Sequence, residues 1–188
     1  MQTSLDAYLL KLDKWLDPDL CGQAIAALES ARWRKHSYTR PQKEGSFSLS
    51  DEQELEVTFA GEFPFDAAIA RKMAMAVEYY SVRLQFPWFS PTRNNTEVRY
   101  NSYSQGQRMM EHCDHIQLVD GRADLVPTLS CLAVLNDDFE GGEFVMWGNK
   151  VIETRAGTTL VFPSNFLFPH RVEPVRANRR YSCVTWSW

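Results

Sequence analysis

The sequence predicts an α+β fold, with helices first and a β core after them that closes as a sandwich or barrel. Three observations carry this. Two segments before residue 85 hold apolar residues at helical spacing. From about residue 97, about eight short β-rich runs follow one another. Gly, Asn and Asp punctuate those runs at QGQ, VDGRAD, NDDFEGG, WGN and RAGT.

The first forty residues read as helical. Asp17-Pro18 marks a helix start, an acidic cap followed by proline in the first turn. LCGQAIAALESARW then continues the apolar spacing to Trp33. SFSLSDEQELEVTF is polar and mixed, and is expected as a loop leading into a short strand. FDAAIARKMAMAVEYYSVRL is the second long helix, with Ile69, Met73, Ala76, Val77 and Tyr80 on its buried stripe. Its methionines are core residues rather than ligands. The strands expected next are VRYNSYS, MMEHCDHIQLV, LSCLAVL, GEFVMW, NKVIETR, GTTLVF, FPHRVEPV and RRYSCVTW. The expected organisation is a single domain over 1–188, with a mainly helical part (1–96) packed on a β core (97–188).

At 188 residues the chain can bury a full core without staples. A net charge of −4, and the absence of a basic run, weigh against a dedicated nucleic-acid partner. No apolar run approaches membrane-spanning length. Cys21, Cys113, Cys131 and Cys183 are scattered, without a CxxC pair, and MQTSLDAYLLKLDKW shows no signal peptide. Reduced thiols in a soluble, cytoplasmic protein are therefore expected. Oligomeric state is not written in the sequence.

EHCDHI (111–116) concentrates four residues able to bind a metal. In a helix, His112 and His115 would share a face. In a strand, His112 and Asp114 share a face, while Cys113 and His115 point away. Gly106 upstream, IQLV downstream and the run of strands favour the second reading. A third ligand must come from His36 or His170. His36 lies at the polar end of the first helical region and reads as solvated; His170 opens a late β run. Together, His112, Asp114 and His170 would make the two-histidine, one-carboxylate triad of non-haem Fe(II) oxygenases. A structural zinc site made of His112, Cys113 and His115 in a non-catalytic β-barrel binding module is the competing reading.

The surrounding residues add a resemblance. RYNSYSQGQRMMEHCDHIQL, with Tyr103-x-x-Gly106 ahead of HxD, resembles the metal-binding segment of the prolyl 4-hydroxylase-like branch of the Fe(II)/2-oxoglutarate dioxygenases. LSCLAVLNDDFEGGEFVM looks like that branch's strand–turn–strand, and GTTLVFPSNFLFPHRVEPVRANRRYSCVTW is similar to its distal-histidine block. The resemblance covers about 97–188. It implies a double-stranded β-helix, the jelly-roll core of cupin-like proteins, with flanking N-terminal helices. It also implies that His112, Asp114 and His170 are catalytic iron ligands. Arg180 would anchor the distal carboxylate of 2-oxoglutarate, Ser182 would add a hydroxyl, and Tyr103 would line that pocket. A guanidinium can grip a carboxylate bidentately, which lysine cannot. Arg171, Arg176 and Arg179 read as solvated, with Arg179 the runner-up anchor.

Two positions depart from the branch. Val134 stands where some members have a second tyrosine for 2-oxoglutarate, and Asn178 stands where many have glycine. The implied reaction hydroxylates an unactivated C–H with release of succinate and CO2. Fe(II), 2-oxoglutarate and O2 are the implied cofactors, with ascorbate a candidate further reductant. The first expected substrate is a peptidyl proline. A free amino acid or other small metabolite is the alternative, and a nucleobase ranks third. Phe162, Phe166, Phe168, Val134 and Trp186 are expected to form a dry wall. Arg93 and Arg122, in loops at the expected entrance, are either readers of an acidic group or ordinary surface charges.

Overall fold

The structure is a computed structural model and describes residues 4–42, 45–49, 53–61, 63–85, 94–115 and 126–188. After a 3-10 turn at Leu5–Tyr8 the elements are β1 (Leu10–Leu12), α1 (Pro18–Leu28), β2 (Arg34–Lys35), β3 (Tyr38–Gln42), β4 (Gly45–Leu49), β5 (Glu56–Phe59) and α2 (Asp66–Leu84). The β core follows as β6 (Arg99–Tyr103), β7 (Met109–His112), β8 (Leu129–Val134), β9 (Glu140–Gly141), β10 (Phe144–Met146) and β11 (Lys150–Ile152). It ends with β12 (Thr159–Pro163), β13 (His170–Val172), β14 (Val175–Ala177) and β15 (Arg180–Ser187).

Two sheets carry the architecture. The larger has the order β1-β12-β8-β15-β6-β5-β2, and the smaller β11-β10-β13-β7. Along the chain β6 enters the large sheet, β7 the small, β8 the large, β10 and β11 the small, β12 the large, β13 the small and β15 the large. This alternation winds the chain between two facing sheets, which is the expected double-stranded β-helix. All eight expected β runs contribute a strand. The FPHRVEPV run divides into β13 and β14.

The large sheet is covered on both faces, so β8 and β15 are buried at every position. One face packs on the helices: Cys131, Ala133, Tyr181 and Cys183 meet Ala24 and Leu28 of α1 and Ile69, Met73, Ala76 and Tyr80 of α2. The other faces the small sheet: Leu132, Val134, Leu160, Phe162, Val184 and Trp186 meet Phe144, Met146 and Val172. Strand alternation thus sorts consecutive residues into two cores. The five stripe residues expected on α2 are all buried.

The N-terminal half differs from expectation. It is not mainly helical: α1 stops at Leu28 rather than near Trp33, and β1, β2 and β5 extend the large sheet at its two edges. Leu10 pairs with Val161, and Glu56 with Ser102. An open sheet edge is completed by whatever extended segment lies beside it, and such pairing leaves only a faint local pattern in short strands.

A carboxylate ties the start of α2 to the sheet. Asp66 Oδ2 accepts from the backbone N–H of Gly61 (2.6 Å) and of Phe63 (3.0 Å), and its Oδ1 accepts from the Tyr100 hydroxyl (2.6 Å). Asp66→Ala is expected to destabilise the protein by about 3 kcal/mol, the scale of losing charge-assisted hydrogen bonds. Urea unfolding of the variant against wild type measures this.

Candidate active site

The space between the sheets collects the polar residues. β13 pairs with β7 in antiparallel register, and His170 stands directly opposite His112. Opposed residues of such a pair project to the same face, and the two imidazoles lie 4.4 Å apart between ring centroids. β7 ends at His112, so the strand expected across EHCDHI is shorter than expected. Asp114 nevertheless turns to the same side. Its Oδ1 is 3.3 Å from His112 Nε2, and its Oδ2 is 3.7 Å from His170 Nε2. Ligand atoms of the three residues all fall within 4.8 Å of one another. Among the described residues, no other group of three His, Cys, Asp or Glu is so gathered. His115 is exposed and Cys113 half-buried, so the zinc alternative gains no cluster.

The same device sets both imidazoles. His112 Nδ1 lies 2.8 Å from the Met110 carbonyl, and His170 Nδ1 lies 3.0 Å from the Phe168 carbonyl. A carbonyl only accepts, so each Nδ1 carries a proton and each Nε2 is the nitrogen turned to the centre of the triad. Burial pushes His170 down to about 4, with the neighbouring charges of His112 and Arg99 acting the same way against the pull of Asp114. It is therefore neutral at physiological pH, the form that binds a metal. For Asp114, burial pushes upward, but His170, His112 and the Ser130 hydroxyl outweigh it and hold the carboxyl well below the usual range. Neutral His170 and ionised Asp114 stand with His112 as a set of two imidazoles and one carboxylate, a donor set that fits Fe(II).

Arg180 opens β15 of the large sheet and packs on Tyr103 and Phe139, which share a core cluster with Phe144 and Phe162 beside His170. Its side chain is fully buried, with its guanidinium 5.0 Å from the centre of the Tyr103 ring and 5.7 Å from that of Phe139. Nη1 donates to Ser182 Oγ at 3.0 Å, while Nε and Nη2 have no hydrogen-bond partner. Ser182 also takes a 3.4 Å hydrogen bond from Asn101 Nδ2. Tyr103 stands opposite Arg180 in the β6–β15 register and is buried beneath it; burial pushes its phenol up, against the nearby Arg180 charge. A buried cation with idle donors is costly unless an anion completes it. Val134, opposite Ser182, is fully buried and supplies only an apolar surface.

Other expectations need correction. Arg179 is exposed, as expected, but the far face of β15, which begins one residue later, packs on the helices rather than on solvent. Arg171 is not simply solvated: it binds Glu111, Glu173 and the Gly148 carbonyl. Arg176 pairs with Glu143. His36 is also not merely solvated, since its Nδ1 lies 3.5 Å from the fully buried Glu54. Phe162, Phe168, Val134 and Trp186 are buried, whereas Phe166 is 76% exposed and forms no part of a dry wall. Asn178 adopts φ +61°, which the branch's glycine would adopt freely and which asparagine tolerates. Arg93 and Arg122 lie outside the described residues.

Sequence reasoning missed several residues. Gly142, at φ +63°, passes so close to Arg180 that a Cβ there would lie 2.9 Å from its Cδ, which gives the second glycine of FEGGEF a steric purpose. Arg99 lies 4.8 Å over the Trp186 ring and donates from Nε to Asn101 Oδ1 at 3.0 Å. Ser130 donates to Asp114 Oδ2 at 2.6 Å. The alternation of β6 with Tyr103 could have shown Arg99 and Asn101 on the inner face. Nothing local marks Ser130.

Comparison with known proteins agrees with this geometry. Residues 98–188 match the family described as the 2OG-Fe(II) oxygenase superfamily. A PKHD-type hydroxylase of Delftia acidovorans is 26% identical over 95% of this chain and 77% of its own length. One from Methylobacterium nodulans is 29% identical over 95% and 69%. Among solved structures, a viral collagen prolyl hydroxylase of Paramecium bursaria Chlorella virus-1 superposes with a TM-score of 0.69 at 18% identity, covering 97% of both chains. A Trichoplax adhaerens prolyl hydroxylase bound to a hypoxia-inducible-factor peptide fragment gives 0.70 at 17% identity, covering 96% of this chain and 83% of its own. At such identity these two bear on the fold, and both share the double-stranded β-helix. The chain carries a 2OG-Fe(II) oxygenase superfamily domain over residues 98–188, and the protein is a 2-oxoglutarate-dependent dioxygenase.

Proposed function

We propose that His112, Asp114 and His170 hold Fe(II), that Arg180 and Ser182 hold the distal carboxylate of 2-oxoglutarate beside Tyr103, and that the protein hydroxylates a proline residue of a peptide. One observation carries the site assignment. A fully buried guanidinium with two unpartnered nitrogens shares an interior with two Nε2 lone pairs and a carboxylate. A dicarboxylic keto acid satisfies both ends at once. Bound together, Fe(II) and 2-oxoglutarate supply the oxidising power, with O2 consumed, succinate and CO2 released and one oxygen atom entering a C–H bond.

The chain's own residues position and shield. The Phe168 and Met110 carbonyls fix the imidazoles. Phe162 and Phe144 pack against His170, with ring centroids 5.1 and 5.3 Å away, and limit water beside it. Tyr103 offers its face to the Arg180 cation, worth on the order of 1–2 kcal/mol when desolvated. Ascorbate is the candidate external reductant.

The peptidyl-proline reading draws on the names of the relatives and neighbours, which are hydroxylases and prolyl hydroxylases. A free amino acid is the second reading. Arg99 favours it, since a guanidinium on the inner face over Trp186 suits a substrate carboxylate.

Anaerobic addition of Fe(II) and 2-oxoglutarate to the apoprotein is expected to give the weak visible charge-transfer band of the chelate. Asp114→Ala should lose the band and His115→Ala should keep it. Arg180→Ala should need roughly 30-fold more 2-oxoglutarate or beyond. No band in folded wild type would sink the site assignment.

Arg180→Met separates stability from function. It removes a buried charge with idle donors, so the apoprotein should melt at the same temperature or higher, while 2-oxoglutarate binding is lost. A large fall in melting temperature would contradict this account. For the substrate, succinate release is compared with proline-containing peptides and with free amino acids. Release driven by peptide, with one oxygen added to proline by mass, is the expected result; release driven by free amino acids alone overturns the peptide reading.

A further inference from the structure

The two oxygens of Asp114 have different surroundings. Oδ1 faces His112 Nε2 at 3.3 Å. Oδ2, 3.7 Å from His170 Nε2, also accepts the 2.6 Å hydrogen bond from Ser130 Oγ, and Ser130 Oγ lies 2.8 Å from Ser164 Oγ. Ser130 spends its one proton on the carboxylate, so Ser164 must be the donor to Ser130. The order Ser164 to Ser130 to Asp114 is thereby fixed. Asp114 is 5% exposed, Ser130 0% and Ser164 1%, so water does not compete for these bonds. The two serines sit on rigid ground: Ser130 pairs with Phe162 and Trp186 in the large sheet, and Ser164 N–H donates to the Thr128 carbonyl at 3.0 Å.

We propose that Ser130, oriented by Ser164, is a positioning residue that keeps Asp114 a one-oxygen ligand of the metal. It occupies Oδ2 and leaves Oδ1 to the centre. Two imidazoles and one carboxylate oxygen take three of six octahedral positions. A two-pronged keto acid and O2 need the remaining three. A second carboxylate oxygen on the metal would take a fourth position and leave the keto acid and O2 in competition. The inference rests on the metal-centre assignment above.

The test is the anaerobic Fe(II)/2-oxoglutarate titration at saturating metal, run on wild type, Ser130→Ala, Ser130→Thr and Ser164→Ala, with melting of each apoprotein alongside. Ser130→Ala is expected to weaken 2-oxoglutarate binding on the order of 10-fold or more and to alter the charge-transfer band. Ser130→Thr, which keeps the hydroxyl, should restore both, and Ser164→Ala should fall between. A purely structural role would lower the melting temperature and leave affinity and band unchanged, and that result overturns the proposal. Should Ser130→Ala fail to fold, Ser164→Ala decides: an intermediate affinity supports the proposal, and wild-type behaviour overturns it. A wild type without any band would instead defeat the metal-centre assignment itself.

Discussion

The active site depends on one register. His170 of β13 stands opposite His112 of β7, and a slip of one residue would turn one imidazole to the other face. The neighbouring strand holds that register in turn, with β10 pairing Met146 to His170 and Val145 to Arg171. Arg171 locks the outer side through Glu111, Glu173 and the Gly148 carbonyl, so a residue that reads as surface charge reinforces the alignment. The geometry of the proposed metal site is therefore a consequence of sheet pairing, and Asp114 completes it from the segment after β7.

A second constraint is the charge buried in β15. The large sheet is covered by helices on one side and by the small sheet on the other, so Arg180 is fully buried. Taking a guanidinium there costs several kcal/mol unless partners compensate. Ser182 and the faces of Tyr103 and Phe139 supply part of that, and Gly142 makes room for the side chain. The remaining donors, Nε and Nη2, are those that the proposed 2-oxoglutarate carboxylate would take. Stability is given up at the place where binding needs it, the pattern expected of a preorganised site.

Much of this was legible in the sequence because it is local. The α2 stripe, the eight β runs, the HxD pair and the Arg-x-Ser alternation each show a period or a spacing that backbone geometry imposes. What could not be read arises from contacts between distant segments. The strands β1, β5 and β2, added at the two ends of the large sheet, are extended because the sheet has open neighbours, while their own residues carry little pattern. Glu54 is buried against His36 from a stretch that looks polar. Ser130 reaches Asp114 across 16 residues and Ser164 across 34, a relation invisible before the strands are placed. The strand expected across EHCDHI stops early, yet its outcome, His112 and Asp114 together with His115 outside, agrees with alternation.

The most direct measurement of the central claim is anomalous diffraction from anaerobic crystals grown with Mn(II) and 2-oxoglutarate. The account predicts one metal peak within bonding distance of His112 Nε2, Asp114 Oδ1 and His170 Nε2, with the far carboxylate of 2-oxoglutarate on Arg180 and Ser182. A peak at Cys113 and His115, or a keto acid bound away from Arg180, would contradict it.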